Sequence, residues 1–154
     1  MKSKHSPLTC RAVAMNLLAQ REHSYHELVT KLAKRHFARE EIIATLDELQ
    51  QQRLLSDTRF SEMYVRHRAS KGYGPLRIRQ ELQQRGVDEE NIDIAMQQFD
   101  KTEWRELAKR VYRKKFGSNP PIEYKELGAQ MRYLLYRGFS SEIAKRVLHN
   151  QETD

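Results

Sequence analysis

A repeat of about 50 residues is the feature that most constrains what this chain can fold into. Residues of the first third recur 50 positions later, and seven pairs keep that offset: Ser24/Gly74, Leu28/Ile78, Leu32/Leu82, Phe37/Val87, Ile42/Ile92, Leu46/Met96 and Leu49/Phe99. A fixed period of this length indicates tandem supersecondary units, each too small to bury its own apolar face. We therefore expect each unit to pack on its neighbour.

A third copy of the repeat is present but imperfect. Leu134, Phe139 and Ile143 repeat the spacing of Leu82, Val87 and Ile92 with one residue fewer. The Arg-Gly pair that precedes Val87 also precedes Phe139. The missing residue falls between two predicted helices, where a change of length is tolerated better than inside an element.

The composition predicts an all-α protein. Of 154 residues, 38% are hydrophobic and 32% charged, with only six glycines and four prolines, which is typical of helices rather than sheets. A chain of this length can bury one modest core or three small ones. The predicted fold is three tandem three-helix repeats stacked into an elongated, curved array.

Cellular location can also be predicted from the sequence. No segment has the ~18 consecutive apolar residues of a membrane span, and the Met1 to Arg11 leader lacks an apolar core. A single cysteine, Cys10, excludes an intramolecular disulfide framework. We expect a cytosolic protein, monomeric by default.

Capping and stop signals indicate nine helices in three triplets. They place helix starts at Ser6-Pro7, Ser24-x-x-Glu27, Glu40-Glu41, Asp57, Gly74-Pro75, Asp88, Thr102 and Ser140, with an eighth helix running toward Arg137. The first helix is predicted to bury Ala12, Met15, Leu18 and Ala19. We expect a flexible leader over 1–8 and repeats over 9–52, 53–103 and 104–154, the last with a short acidic tail.

No combination of residues indicates catalysis, a metal or a cofactor. The six histidines never form the paired spacing with an intervening Glu that zinc hydrolases use, and no second cysteine exists. His23 and His26 straddle a predicted helix start and are expected to be a surface pair. We therefore expect a protein that is not an enzyme.

The net charge of +7 is unevenly distributed and points to an anionic partner. Residues 53–86 carry eight basic and three acidic groups, 87–103 carry one and six, and 104–149 carry eleven and four. Such a patterned field favours an anion with a defined footprint, although a solubilising surface is the simpler reading of the composition alone.

Two helices concentrate the candidate cations. In the fifth, Arg77 and Arg79 flank the apolar stripe of Ile78 and Leu82, and are predicted to reach outward. In the seventh, a stripe of cations four residues apart is widened by two more: Arg105, Lys109 and Arg113, with Arg110 and Lys114. Like charges at this spacing destabilise a helix unless an anion compensates.

Three segments resemble one known family. These are Asp57-Thr58-Arg59-Phe60, Lys71-Gly72-Tyr73-Gly74-Pro75-Leu76-Arg77-Ile78-x-x-Glu81-Leu82, and Arg137-Gly138-Phe139. They closely resemble the RecX family, bacterial regulators of the recombinase RecA, over about residues 11–149. The Lys-Gly-Tyr-Gly-Pro string is the most specific part of this resemblance.

The resemblance implies both fold and function. It implies three tandem three-helix repeats that bind in the groove of the RecA filament on single-stranded DNA. It further implies inhibition of the ATPase, strand-exchange and coprotease activities of RecA, in recombination, repair and the SOS response. The candidate residues for contacting the filament, or DNA phosphates directly, are Arg66, Arg68, Lys71, Tyr73, Arg77, Arg79, Arg105, Lys109, Arg113, Lys114 and Arg137.

A second hypothesis is a general helical nucleic-acid-binding protein that acts directly on DNA, using one triplet like a helix-turn-helix. The sequence favours the first hypothesis, because the candidate recognition helix begins Gly74-Pro75-Leu76 where base-reading polar residues would be needed.

Overall fold

Helices account for all the regular structure that the computed structural model describes, which covers residues 8–118 and 123–153. The described residues form nine helices and no strand: α1 Cys10–Gln20, α2 Tyr25–Lys34, α3 Arg39–Gln51, α4 Asp57–Ser70, α5 Pro75–Gln84, α6 Glu89–Met96, α7 Lys101–Phe116, α8 Tyr124–Tyr136 and α9 Ser141–Thr153. None of these helices is long and apolar enough to cross a membrane.

The helices pack as three consecutive triplets, which confirms the predicted all-α tandem-repeat fold. Within each triplet every helix contacts the other two, and each triplet has its own cluster of buried side chains. The periodic positions lie in these cores: Leu28, Leu32, Ile78 and Leu82 are all completely buried. Leu107 and Ile143 are partly buried against both the second and third clusters.

The turn that ends the second helix has the same shape in all three repeats. After α2, α5 and α8 the chain enters the left-handed region at His36 (φ 69°), Gly86 (φ 76°) and Gly138 (φ 104°). Each of these residues donates its backbone N–H to the carbonyl three residues earlier, at 2.9–3.0 Å. Glycine adopts this conformation without strain, so the histidine in the first repeat is the unusual member.

The first and second repeats meet at what we call the first joint, formed by Ser24, Tyr25 and His26 against Asp57, Arg85 and Gly86. Ser24 Oγ donates to the Arg85 carbonyl (2.9 Å). His26 lies so close to Gly86 that a Cβ added to Gly86 would be 2.5 Å from the Cβ of His26. The start of α2 is thereby docked on the end of α5.

Asp57 begins α4, as predicted, but it is not the N-cap that an aspartate at a helix start is expected to be. The N-cap of α4 is Ser56, whose Oγ accepts from the Arg59 N–H (3.1 Å). Asp57 instead accepts from the backbone N–H of Tyr25 at 2.8 Å, across the first joint. Burial raises the pKa of Asp57, and the hydrogen bond from Tyr25 opposes that shift. No local signal in the sequence indicates this long-range acceptor.

Other predicted helix starts also need correction. The N-cap of α1 is Thr9, so the helix begins at Cys10, while Ser6 and Pro7 lie outside the described residues. The N-cap of α7 is Asp100, which forms a capping box with Glu103, rather than Thr102. The capping box at Ser24 and the start at Gly74-Pro75 are confirmed.

The buried face of α1 differs from the predicted stripe. Cys10, Val13 and Ala14 are buried, whereas the predicted set is only partly buried or, for Ala19, exposed: Ala12, Met15, Leu18 and Ala19. Apolar residues surround most of this helix, so the periodicity alone does not select one face.

The two histidines near the start of α2 do not form a surface pair. His23 is buried, with Nδ1 3.0 Å from the Arg21 carbonyl and Nε2 2.9 Å from Lys31 Nζ. Burial lowers the pKa of His23. His26 alone is exposed, at the first joint.

The tandem arrangement predicts an extended particle in solution. A compact chain of 154 residues has a radius of gyration of about 15 Å, from about 2.2·N^0.38. Small-angle scattering of the monomer should give a clearly larger radius. A value at or below that of the compact chain would contradict the stacked array.

Candidate partner-binding surface

The turn between α4 and α5 docks the second repeat on the third. Gly74 is the N-cap of α5, and its backbone N–H donates to the Arg137 carbonyl (2.8 Å). The Leu76 N–H donates to the Gly138 carbonyl (3.0 Å). A Cβ on Gly74 would lie 2.6 Å from the Gly138 carbonyl group, so the two backbones touch. We call this contact of residues 71–77 with residues 136–138 the second joint.

The side chain of Arg137 also contributes hydrogen bonds to the second joint. Its Nη2 donates to the Lys71 carbonyl (2.6 Å) and its Nε to the Gly72 carbonyl (3.2 Å). These carbonyls follow the last turn of α4, where a cation is favoured by the helix dipole. The side chain of Arg137 thus replaces hydrogen bonds that α4 cannot make within itself.

Tyr73 lies among three guanidinium groups in the second joint. The carbon of each guanidinium is close to the ring centroid: 3.8 Å for Arg68, 4.2 Å for Arg137 and 4.5 Å for Arg77. Cation–π contacts of this kind contribute about 0.5–2 kcal/mol each. Arg77 also donates to the Tyr136 carbonyl (3.1 Å), which ties α5 to the end of α8.

Glu81 is the carboxylate that balances this cluster. It accepts from Nε and Nη2 of Arg68 at 2.9 Å each, from Tyr64 Oη at 3.1 Å, and from Arg77 Nε at 3.5 Å. Burial alone would raise the pKa of Glu81, but the hydrogen bonds from Arg68 and Tyr64 outweigh it and lower the pKa. The pKa of Arg68 is raised because its pairing with Glu81 outweighs its burial.

Two further candidate arginines are also engaged within the chain. Arg79 bridges α5 to α6 through Glu89 (2.8 Å) and Asp93 (2.7 Å). Arg66 is exposed and donates to Gln98 (2.8 Å). The prediction that Arg77 and Arg79 both reach outward is therefore wrong, because acidic residues and a carbonyl group elsewhere in the fold hold them.

The remaining candidates lie at the surface with few partners. Among the described residues, Lys71, Arg105, Arg113 and Lys114 form no ion pair, and Lys109 pairs only with Glu106 (3.3 Å). Arg105, Lys109 and Arg113 run along one side of α7, and Arg110 and Lys114 extend the charged arc toward the other side.

Arg110 and Lys114 line a concave basic pocket of about 580 Å³ beside the second joint. Five cations line it: Lys71, Arg110, Lys114, Lys115 and Arg137. Its apolar wall is built from α4, α7 and α8, and no Asp or Glu is among its lining residues. The structure thus brings candidates from all three of these helices into one pocket.

A second groove on the same joint combines polar and apolar side chains, and its polar members are Arg77, Gln80, Glu81 and Gln84. It is lined partly by Leu76, Leu135 and Tyr136, whose exposed fractions are 57%, 42% and 71%. Exposed aromatic and aliphatic side chains beside arginine are typical of protein interfaces.

Sequence reasoning missed Glu81, Lys115 and this apolar trio. Glu81 had a usable signal, because it stands four residues after Arg77 on the same helix. The trio had none, since Leu135 and Tyr136 read equally well as core positions.

Comparison with protein families identifies three matches in series. The models match in chain order: RecX first three-helix domain at residues 10–49, second three-helix domain at 56–96, and third three-helix domain at 102–148.

Individual proteins show the same similarity over nearly the whole chain. "Regulatory protein RecX" of Pseudomonas fluorescens (strain SBW25) is 42% identical over 144 residues, covering 94% of this chain and 92% of that protein. "Regulatory protein RecX" of Pseudomonas putida (strain GB-1) is 39% identical over 149 residues, covering 97% and 95%.

Two crystal structures are similar to this fold. One, of regulatory protein RecX, has a TM-score of 0.78 at 28% identity, covering 90% of this chain and 70% of its own. The other, of RecX from Lactobacillus salivarius, has a TM-score of 0.79 at 19% identity, covering 94% and 96%, and supports the fold alone.

The close approach at the second joint predicts a strong effect of Gly138→Ala. Its Cβ would lie 2.3 Å from Arg77 Cβ at a positive φ. We expect about 1–2 kcal/mol from the left-handed backbone and about 1–3 kcal/mol more from the clash, measured by urea unfolding.

His36→Gly is the matched control, because His36 has a positive φ at the equivalent turn of the first repeat and an exposed side chain. Its gain of unfolding free energy measures the cost of the left-handed backbone alone, and a loss for Gly138→Ala no larger than that gain would show that the contact at the joint adds nothing.

The pairing of Glu81 predicts a pH-dependent stability. Because the folded-state pKa of Glu81 is below its ordinary 4.5, its contribution is complete above that pH and is lost as pH falls through the folded pKa. Glu81→Gln should lower the unfolding free energy by about 1–3 kcal/mol at neutral pH, and the difference from wild type should shrink in acid.

Glu89→Gln removes an exposed partner of Arg79 and serves as the control, with an expected change within about 0.5 kcal/mol. Urea unfolding at neutral and acidic pH measures both. A loss for Glu81→Gln that does not change with pH would rule out the carboxylate as its source.

Proposed function

The chain belongs to the RecX family, and from this premise we propose that it is a non-enzymatic negative regulator of the recombinase RecA. It binds as a monomer in the groove of the RecA filament on single-stranded DNA. In doing so it inhibits the ATPase, strand-exchange and coprotease activities of RecA, in the cytoplasm, during recombination and the SOS response.

One observation carries this proposal: all three RecX domains match in series, from residue 10 to residue 148. A regulator that lies along a filament needs repeats held in a fixed relative orientation. The second joint supplies this, because its backbone contacts and Arg137 leave little freedom between the second and third repeats.

The candidate residues divide into two groups in this proposal. Arg68, Tyr73, Arg77 and Arg137 hold the second joint and so position the surface around it. The other cations make the contacts: Arg66, Lys71, Arg113 and Lys114, which are exposed, and Arg105 and Lys109, which are half-buried. Arg79 stays paired within the second repeat unless an acidic group of the partner replaces Glu89 or Asp93.

The arrangement of α5 argues against a helix-turn-helix reading of the second repeat. A recognition helix presents its N-terminal side chains to DNA bases. Here the N-terminus of α5 is occupied by the second joint, where Gly74 and Leu76 bond to residues of the third repeat. Direct action on DNA through this helix is therefore disfavoured.

The test is ATP hydrolysis by RecA filaments on single-stranded DNA with increasing amounts of the protein. We expect inhibition, and stronger binding to the assembled filament than to naked single strands at the same salt concentration. No inhibition together with equal binding to both would contradict the proposed function.

The flank of α7 provides a sharper prediction. Converting Arg105, Lys109 and Arg113 together to Gln should weaken filament binding by about tenfold or more, because three cations of the proposed interface are lost. A triple variant with the same charge change elsewhere, Lys125→Gln with Arg132→Gln and Lys145→Gln, should have a much smaller effect. Equal weakening would mean that only net charge matters.

A further inference from the structure

The basic pocket between α4, α7 and α8 concentrates positive charge without a matching negative charge. Its lining residues include Lys71, Arg110 and Lys114, whose charged groups form no hydrogen bond or ion pair with the described residues. Lys115 Nζ lies 5.4 Å from the ring centroid of Tyr133. Cations that converge on a concave site repel one another, and an anion bound there relieves the repulsion.

Arg137 is the one cation of this pocket with strong internal contacts. It binds the carbonyls of Lys71 and Gly72, and its guanidinium lies 5.9 Å from the Tyr133 ring centroid. By taking up two carbonyl groups at the end of α4, it removes the negative partial charge that would otherwise repel an anion there. The other four cations remain available to a ligand.

The shape and the apolar part of the pocket narrow the chemistry of that anion. Its volume of about 580 Å³ is within the range of sites for small organic ligands, and larger than a lone inorganic ion needs. Leu107 and Val111 line it, and the aromatic ring of Tyr133 adds a flat surface. Lysine and arginine groups suit phosphate oxygens, and a flat ring suits a base.

From these features we propose that the basic pocket binds a nucleotide, with the phosphate held by Lys71, Arg110 and Lys114 and the nucleoside against Tyr133. A nucleotide of a single strand and a free nucleoside triphosphate share this chemistry. The proposal goes beyond the regulation of RecA and does not depend on it, because binding is measured without the recombinase.

The experiment measures two probes by fluorescence anisotropy over a range of salt: a short labelled oligo(dT) and a fluorescent ATP analogue. The pocket variant is Arg110→Gln with Lys114→Gln, two exposed residues of α7. The control is Lys125→Gln with Arg132→Gln, an equal change of charge on α8 outside the pocket. Circular dichroism checks that both variants remain helical.

If the pocket holds a single strand, the pocket variant should bind oligo(dT) about tenfold more weakly than the control. The slope of log affinity against log salt should also flatten by about 0.7 for each lost phosphate contact. A selective loss for the ATP analogue alone would instead identify a free nucleotide as the ligand.

Equal losses in the pocket and control variants, or no loss in either, would overturn the nucleotide site. The proposed function alone would be refuted if the wild-type protein failed to inhibit RecA while the pocket variant, and not the control, lost nucleotide binding.

Discussion

Backbone contact at the second joint is the constraint on which the rest of the structure depends. At Gly74 and Gly138 the two repeats approach so closely that neither position has room for a side chain. This proximity lets main-chain N–H groups of α5 reach carbonyls at the end of α8, and lets Arg137 reach the end of α4. The basic pocket and the second groove both lie beside this contact.

Arg68, Arg77 and Arg137 mainly hold the fold together. Glu81 neutralises two of them, Tyr73 stacks against three, and carbonyl groups satisfy Arg137. What remains accessible is a smaller set of lysines and arginines, mostly on α7. The two sets act together in the proposed function, since the paired residues fix where the accessible ones are displayed.

Local signals in the sequence predicted the fold well, and long-range contacts explain what they missed. The capping box at Ser24 and the start at Gly74-Pro75 depend on neighbouring residues, so both were predictable. The acceptor role of Asp57 and the ion pairs of Arg79 depend on groups in other helices. The sequence around a basic residue on a helix does not show whether that residue pairs with a carboxylate of another helix or is exposed to solvent.

A histidine distinguishes the turn of the first repeat from the equivalent turns of the other two. At Gly86 and Gly138 the turn receives the start of the second helix of the preceding repeat, and a Cβ there would collide with it. His36 occupies the same turn with the same positive φ but carries a full side chain. The turn of the first repeat therefore lacks the glycine contact that the other two turns make. The joint thus has a direction, because the glycine turn of each later repeat receives the second helix of the repeat before it.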